Sequence, residues 1–412
     1  MNLLVICPHY APDAAPTGDV MTSIVTELAA RGHRLHVITS LPWYRLHRVE
    51  DGWQGSWSQT EETDWGWITR LHPFPTDKTN IPARAVAFAG FTALSTIAGL
   101  RPRLRPDAVL AMSPPLILGI PGAVLARRFG VPFVFNIQDV FPDVAVEVGA
   151  ISNPKVIAAA TWLERFLYRH SDAVTVLSED LRQNLAAKLD GHRPERVRVI
   201  PNFVDIERIT PGPTANSYRD EFGLGDRVVV MYAGNLGYSQ PVDMLLDVAS
   251  ALRDDPDLVF VVNGAGSARE SLEQRAATMD NVVMIGLQPK ERLPEVLAAA
   301  DVHTVLLRRG LARSSVPSKL YSILAASRPV VASVDAGTEV ARTIDAADAG
   351  IAVPPDDVES LTKAIRSLVA DSHERRRRGD AGRAWVETWL SPAAVAEAYE
   401  QLFDELIASH RR

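Results

Sequence analysis

Short apolar runs alternate with helix-patterned stretches along this chain, and past the midpoint the alternation starts again. Leu3–Cys7, Leu35–Thr39, Asp107–Met112, Phe133–Asn136, Ala173–Leu177 and Val197–Ile200 have the length and composition of buried strands. A second set follows: Val228–Tyr232, Leu258–Val262, Val282–Ile285, Val302–Leu307, Val330–Ala332 and Ile351–Val353. Strands separated by helices make parallel sheets, because a parallel pair needs a crossover connection. The spacing predicts an α/β protein with two doubly wound domains. A length of 412 residues suits two domains of about 200 residues each. A Pro/Gly-rich patch at Thr210–Thr214 marks the junction. The boundaries are read as 1–203, 204–390 and a C-terminal helix, 391–412, that packs back on the first domain.

Hydrophobic residues make up 47% of the chain, enough for two cores. A net charge of −7 gives no footprint for nucleic-acid binding. Arg375–Arg378 reads as a solvated helix face. Cys7 is the one cysteine, which excludes an internal disulfide and a cysteine metal cluster. No basic stretch precedes the first apolar run, so no signal peptide is read and a cytoplasmic location is expected.

In the first domain, a long loop from Pro8 to Asp19 follows the first strand. Open α/β sheets bind ligands at that edge. Leu41–Ile81 carries Trp43, Trp53, Trp57, Trp65 and Trp67. It reads as a hairpin insertion with a small core of its own, with sugar stacking or membrane docking as the alternative. Ala85–Leu100 has no charged residue and is flanked by Arg84, Arg101, Arg103 and Arg105. Two readings stay open: a buried helix, and a helix lying on an anionic membrane surface. Behind Phe133–Asn136 come Gln138, Asp139, Asp143 and Glu147. Asp139 is the candidate acid; Asp143 and Glu147 read as helix capping and a solvated face.

In the second domain, Gly234-Asn235 and Gly264-Ala265-Gly266 follow strands, and glycines there let a backbone approach a ligand. The second group lacks the third glycine of a dinucleotide fingerprint. Arg308, Arg309 and Arg313 follow Val302–Leu307, then Ser314 and Ser315. The run Val316–Ser333 comes next. Pro317 opens a helix, Leu320, Ile323 and Leu324 share one face, and Arg328-Pro329 stops it. Lys319 sits in the first turn, where the helix dipole disfavours a cation. By itself it is a surface lysine or an anion ligand. With the arginines and the helix start beside it, the pattern favours a bound diphosphate.

The run VPSKLYSILAASRPVVAS, with Gly337, Glu339 and AGIAVPPDD after it, resembles the retaining family-4 glycosyltransferases. So do MYAGNLG, VVNGAG, NVVMIGLQP with Gly286, AAADV and VIPNFVD. QDVFPD at Gln138 resembles the surface-polysaccharide subgroup that includes N-acetylfucosaminyltransferases. The resemblance implies two Rossmann-like domains facing across a cleft, the GT-B arrangement. It implies a nucleotide-sugar donor, UDP-linked, on the second domain, a lipid-linked or glycan acceptor on the first, and no metal cofactor. The donor residues it implies are Gly18, Gly234, Asn235, Gly264, Gly286, Arg308, Arg309, Arg313, Ser314, Val316, Pro317, Ser318, Lys319, Leu320, Ser322 and Glu339. Asp139 and Lys319 are the catalytic candidates. The chain departs from the family at Ser314 and Ser322, where two glutamates are usual, and near Asn235 and Gln240, where Arg and Lys are usual.

Two other readings compete. A non-hydrolysing sugar-nucleotide epimerase needs acids and a histidine at the site, and the one histidine on a second-domain strand is His303. A non-catalytic nucleotide-sugar-binding subunit is suggested by the two serines. The membrane reading of Arg84–Arg105 adds a peripheral location on the inner face of the plasma membrane.

Overall fold

The computed structural model describes residues 1–13, 15–76, 81–147, 151–189, 193–237, 240–310 and 319–411; of residues 81, 82, 144 and 147 only the backbone is described. The chain separates into two compact units. Met1–Phe203 together with Pro392–Arg412 form the first, and Val204–Ser391 the second.

The first unit runs β1 (Asn2–Ile6), α1 (Pro16–Ala30), β2 (Arg34–Ser40), β3 (Ser58–Thr63), β4 (Gly66–Leu71), α2 (Ile81–Gly99) and β5 (Ala108–Ser113). It continues with α3 (Gly119–Phe129), β6 (Phe133–Ile137), α4 (Asp143–Glu147), α5 (Pro154–Arg169), β7 (Ala173–Val176), α6 (Glu179–Lys188) and β8 (Val197–Val199). Among the described residues these strands form an eight-stranded sheet ordered β3-β4-β2-β1-β5-β6-β7-β8. Only β3 runs antiparallel, against β4. Both faces are covered, which is why β1 is apolar and buried from Leu3 to Ile6. Leu4 and Ile6 enter one core, while Leu3, Val5 and Cys7 enter the other. Each such side chain contributes about 1.5–3 kcal/mol on burial. Burial pushes the Cys7 thiol up to about 12.

The second unit runs α7 (Ser217–Glu221), β9 (Val228–Asn235), α8 (Asp243–Ala251), β10 (Leu258–Ala265), α9 (Arg269–Ala276), β11 (Val282–Ile285), α10 (Leu293–Ala298) and β12 (Val302–Leu306). Then come α11 (Lys319–Ala325), β13 (Val330–Ser333), α12 (Glu339–Ala346), β14 (Gly350–Val353), α13 (Val358–Ala370) and α14 (Ser372–Trp389). Its parallel sheet has the order β11-β10-β9-β12-β13-β14 among the described residues. Again the strand alternates between cores: Val230 and Tyr232 face one, Val229 and Met231 the other. The expected α/β class with two Rossmann-like domains is therefore the one the chain adopts.

The last helix, α15 (Pro392–His410), belongs to the first unit. Val395, Ala396, Tyr399 and Phe403 share a core with Met21, Ile24 and Val25 of α1. The Tyr399 hydroxyl accepts a hydrogen bond from Asn136 Nδ2 at 2.8 Å.

Three expectations need correction. The tryptophan-rich stretch is not an insertion with its own core, because β4 pairs in parallel with β2 and so extends the main sheet. Ile68 and Leu71 of β4 enter the two cores of that sheet. Asp143 does not cap a helix with its side chain: it takes hydrogen bonds from Lys188 Nζ at 2.7 Å and from Asn184 at 3.2 Å. Arg375–Arg378 is not simply a solvated face. Arg375 donates to the carbonyls of Leu368 and Val369, and Arg377 and Arg378 pair with Glu374 and Asp348.

Candidate functional site

Each sheet has one place where strand order reverses, and in open α/β sheets ligands sit outside the strand ends at such a place. In the second unit it lies between β9 and β12. β9 and β10 end in register, with Gly234 opposite Gly264 and Asn235 opposite Ala265. A Cβ on Gly264 would stand 2.0 Å from the Gly234 carbonyl oxygen, so the two strand ends approach only because Gly264 has no side chain. Gly234 itself turns with φ 148°. Arg269 holds the edge from below, donating to the carbonyls of Gly264 and Ile285.

Lys319, the first residue of α11, reaches this edge. Its Nζ lies 4.0 Å from the centre of the Tyr232 ring. It would also lie 3.6 Å from a Cβ on Gly234. The Tyr232 hydroxyl donates to the Asn235 carbonyl at 2.7 Å, which fixes the ring under the ammonium. No acidic side chain pairs with Lys319 among the described residues, and desolvation lowers its ammonium to about 7. The ring face offsets part of that cost, since a cation over an aromatic gains about 0.5–2 kcal/mol. An anion arriving above Gly234 would meet a desolvated cation and a side-chain-free backbone. That arrangement suits phosphate.

The other sequence-derived residues divide. Arg308 and Arg309 follow β12 at the same edge, but Arg308 leans on Asp243 at 3.8 Å and Arg309 donates to the Pro355 carbonyl at 3.1 Å. Asn235 and Gln240 lie 3.4 Å apart. Gly286 follows β11 with open space around it. Ser322 is half-buried on α11, whereas Leu320 is wholly buried in the core, leaving only its backbone to meet a ligand. Glu339 opens α12 and pairs with Arg342 at 3.0 Å. Arg313, Ser314, Val316, Pro317 and Ser318 lie outside the described residues. His303 is fully buried, with Nε2 on the Leu297 carbonyl at 2.9 Å, and burial lowers its imidazole to about 4. It is a core residue, which removes the strand histidine named for the epimerase reading.

In the first unit the reversal lies between β1 and β5. Gly18, in the first turn of α1 and not in the loop expected to run to Asp19, packs on His9 of the loop after β1: a Cβ there would come within 3.0 Å of the His9 Cβ. Asp139 follows β6, with its side chain at the surface, and partial desolvation raises its carboxyl above the usual value. Two features escaped the sequence reading. Tyr232 looks like one more core residue of an apolar strand. His9 and Asp13 form a buried pair, Nδ1 to Oδ2 at 2.7 Å, within a loop that has no periodicity to announce it. Among the described residues no group of three His, Cys, Asp or Glu could hold a metal ion. No helix among them is long and apolar enough to cross a membrane.

Residues 17–202 match the family model of the glycosyl transferase 4-like domain, and residues 227–371 match that of the glycosyl transferases group 1. The chain is a glycosyltransferase. This glycosyltransferase is 29% identical over 395 residues to WcaI of Escherichia coli K12, named for colanic acid biosynthesis; the match covers 93% of this chain and 96% of WcaI. It is 31% identical to a GDP-mannose-dependent phosphatidylinositol monomannoside mannosyltransferase of Mycolicibacterium smegmatis, over 53% of this chain and 59% of that one. Anabaena HepE, solved in complex with UDP-glucose, shares the fold with a TM-score of 0.67 at 14% identity, covering 98% of this chain and 100% of HepE.

Proposed function

We propose that this glycosyltransferase moves a sugar from a UDP-linked donor to a lipid-linked or glycan acceptor in surface polysaccharide synthesis, with retention at the anomeric carbon. The second domain holds the donor and the first the acceptor. The observation that carries this reading is the desolvated Lys319 ammonium beside Gly234 at the β9–β12 reversal, with no acidic partner among the described residues. It supports a diphosphate on that edge. The glycan role is supported by WcaI, and the uridine nucleotide by the ligand of HepE.

Retention on such a site asks little covalent work of the protein. The acceptor hydroxyl attacks the anomeric carbon as the bond to the diphosphate breaks, and a leaving phosphate oxygen takes the hydroxyl proton on the same face. The protein then positions the two substrates and stabilises the departing charge. Lys319 would supply that charge. Asp139 stands in reserve as an acceptor-side acid or hydrogen-bond partner.

Peripheral binding to the inner face of the plasma membrane belongs to the same proposal. The exposed side of α2 carries Val86 and Ile97, 73% and 65% exposed, with Arg84, Arg101, Arg103 and Arg105 around it. The test of function is a screen of UDP- and GDP-linked hexoses, N-acetylhexosamines and N-acetylfucosamine with lipid-linked and free-glycan acceptors. A product whose anomeric configuration matches the donor's supports the reading. An inverted product overturns retention, and turnover with GDP-sugars alone overturns the uridine assignment.

A further inference from the structure

We propose that His9 is a ligand for the acceptor, its Nε2 accepting the hydrogen of one sugar hydroxyl while Asp13 holds the ring; this rests on the transferase reading above. Asp13 is 1% exposed. One of its oxygens accepts the backbone N–H groups of Trp43 at 3.2 Å and Tyr44 at 2.9 Å. The other faces His9 Nδ1 at 2.7 Å. A carboxylate oxygen can only accept, so Nδ1 carries the hydrogen, and a neutral ring held this way has its lone pair on Nε2.

The ring is also clamped. Trp43 lies 5.8 Å away and tilted, Tyr44 meets it edge-on at 5.0 Å, and Gly18 closes on its Cβ. Other buried histidines lack this arrangement: His36 has both nitrogens engaged, Nε2 2.9 Å from Thr69 Oγ1 and Nδ1 accepting the Arg103 N–H at 3.3 Å, and His303 has its open nitrogen, Nδ1, sealed in the core. His9 differs, because no described residue bonds its Nε2. An oriented lone pair thus stands at the β1–β5 reversal, beside two half-buried aromatic rings. Ring faces pack against the C–H faces of a pyranose, and a fixed acceptor selects a hydroxyl.

The test uses the full chain and long-range ¹⁵N–¹H spectra of the imidazoles, with His9 assigned by its loss in His9→Gln. The native ring is expected as the Nδ1–H tautomer. In Asp13→Asn the amide oxygen keeps the Trp43 and Tyr44 N–H groups, the amide nitrogen donates to Nδ1, and the ring proton moves to Nε2. Methyl α-D-glucoside, methyl α-D-mannoside and methyl β-N-acetylglucosaminide, at millimolar concentration, are the probes. At least one should shift the native Nε2 resonance and lose that effect in Asp13→Asn. In transfer assays both variants should lower kcat/KM for the acceptor by about tenfold or more, as expected for one lost hydrogen bond. His9 resonances that ignore every glycoside overturn the proposal. So does native turnover that both variants preserve with unaltered KM and kcat, an outcome that leaves the transferase reading standing. A glycoside-dependent shift without turnover of any nucleotide sugar upholds the site and removes the transferase reading instead.

Discussion

Lys319 stands over the Tyr232 ring at 4.0 Å, at the strand end where Gly234 leaves the backbone bare. The two residues come from different elements, β9 and α11, and meet only in the folded domain. The pairing explains how a lysine tolerates this place with no acid beside it among the described residues. It also makes the charge conditional, since an ammonium at about 7 is only partly protonated in neutral solution.

Nucleotide-sugar affinity should therefore depend on pH. A bound diphosphate raises the Lys319 ammonium again, so binding takes up a proton above pH 7. Affinity should be full below about 7 and fall as pH rises past it. The diphosphate of a nucleotide sugar is doubly esterified and has no proton of its own to lose there. Calorimetry of a UDP-sugar in buffers of different ionisation enthalpy reads the uptake directly. Lys319→Ala should weaken binding by about 1.5–3 kcal/mol and abolish the uptake. Unchanged affinity in a folded Lys319→Ala protein would remove Lys319 from the site. Folding has its own sign. With the folded value below the ordinary 10.5, the unfolded chain binds more protons between about 7 and 10.5, and this group makes stability rise with pH across that window.

Gly264→Ala should damage the same edge by a different route. The added methyl meets the backbone of Gly234, with 2.0 Å to its oxygen, so β9 and β10 must part. Overpacking of this kind costs about 1–3 kcal/mol. The melting temperature should fall by several degrees, and nucleotide-sugar affinity should fall with it. Gly286→Ala is the contrast, because nothing lies within 4 Å of its added methyl. Equal melting temperatures for the two variants would contradict the packing described at the β9–β10 end.

What the sequence made legible follows from local physics. Leu3–Cys7 and Val228–Tyr232 read as strands because a sheet covered on both faces needs apolar residues at every position. The helix stop at Gly130 was readable because its left-handed φ of 65° is one that glycine adopts freely. The join of β4 to β2 was not readable, since a parallel pairing across a tryptophan-rich connection leaves no local mark. Asp143 looked like a cap because Lys188, 45 residues away, is invisible from its neighbours. His9 and Asp13 have i, i+4 spacing, which means contact in a helix but nothing in a loop. The Tyr232–Lys319 pair was hidden for a like reason, since strand residues buried in a core announce only their burial.

The α2 surface should bind anionic lipid. Ala87 and Phe91 anchor the helix in the core, while Val86 and Ile97 point outward and the arginines supply charge. Each basic side chain near such a surface adds about 1 kcal/mol. In co-sedimentation with vesicles containing phosphatidylglycerol, at low salt, the native protein should pellet. Arg101/Arg103/Arg105→Ser should pellet less, and so should Val86/Ile97→Ser. Equal pelleting of all three proteins would count against membrane contact.

Ser322 tests the alignment with the family most directly. It lies half-buried on α11, one turn beyond Lys319, at a position where the resemblance places a glutamate. That glutamate would grip the ribose hydroxyls of the nucleotide. A serine is shorter and neutral, so it reaches a ribose only at close range or through water. The ribose lies away from the bond that breaks. Losing its grip removes binding that ground state and transition state share, which raises the Michaelis constant more than it lowers turnover. The native protein should thus turn over a nucleotide sugar with weak affinity. Ser322→Glu should tighten that affinity, by about tenfold for one charge-assisted hydrogen bond of about 1.5 kcal/mol, and leave kcat within a small factor. Weaker binding in a folded Ser322→Glu protein would mean that the helix presents a different residue to the ribose. Tight nucleotide binding by the native protein with no turnover of any donor would mean that this chain binds a nucleotide sugar without transferring it.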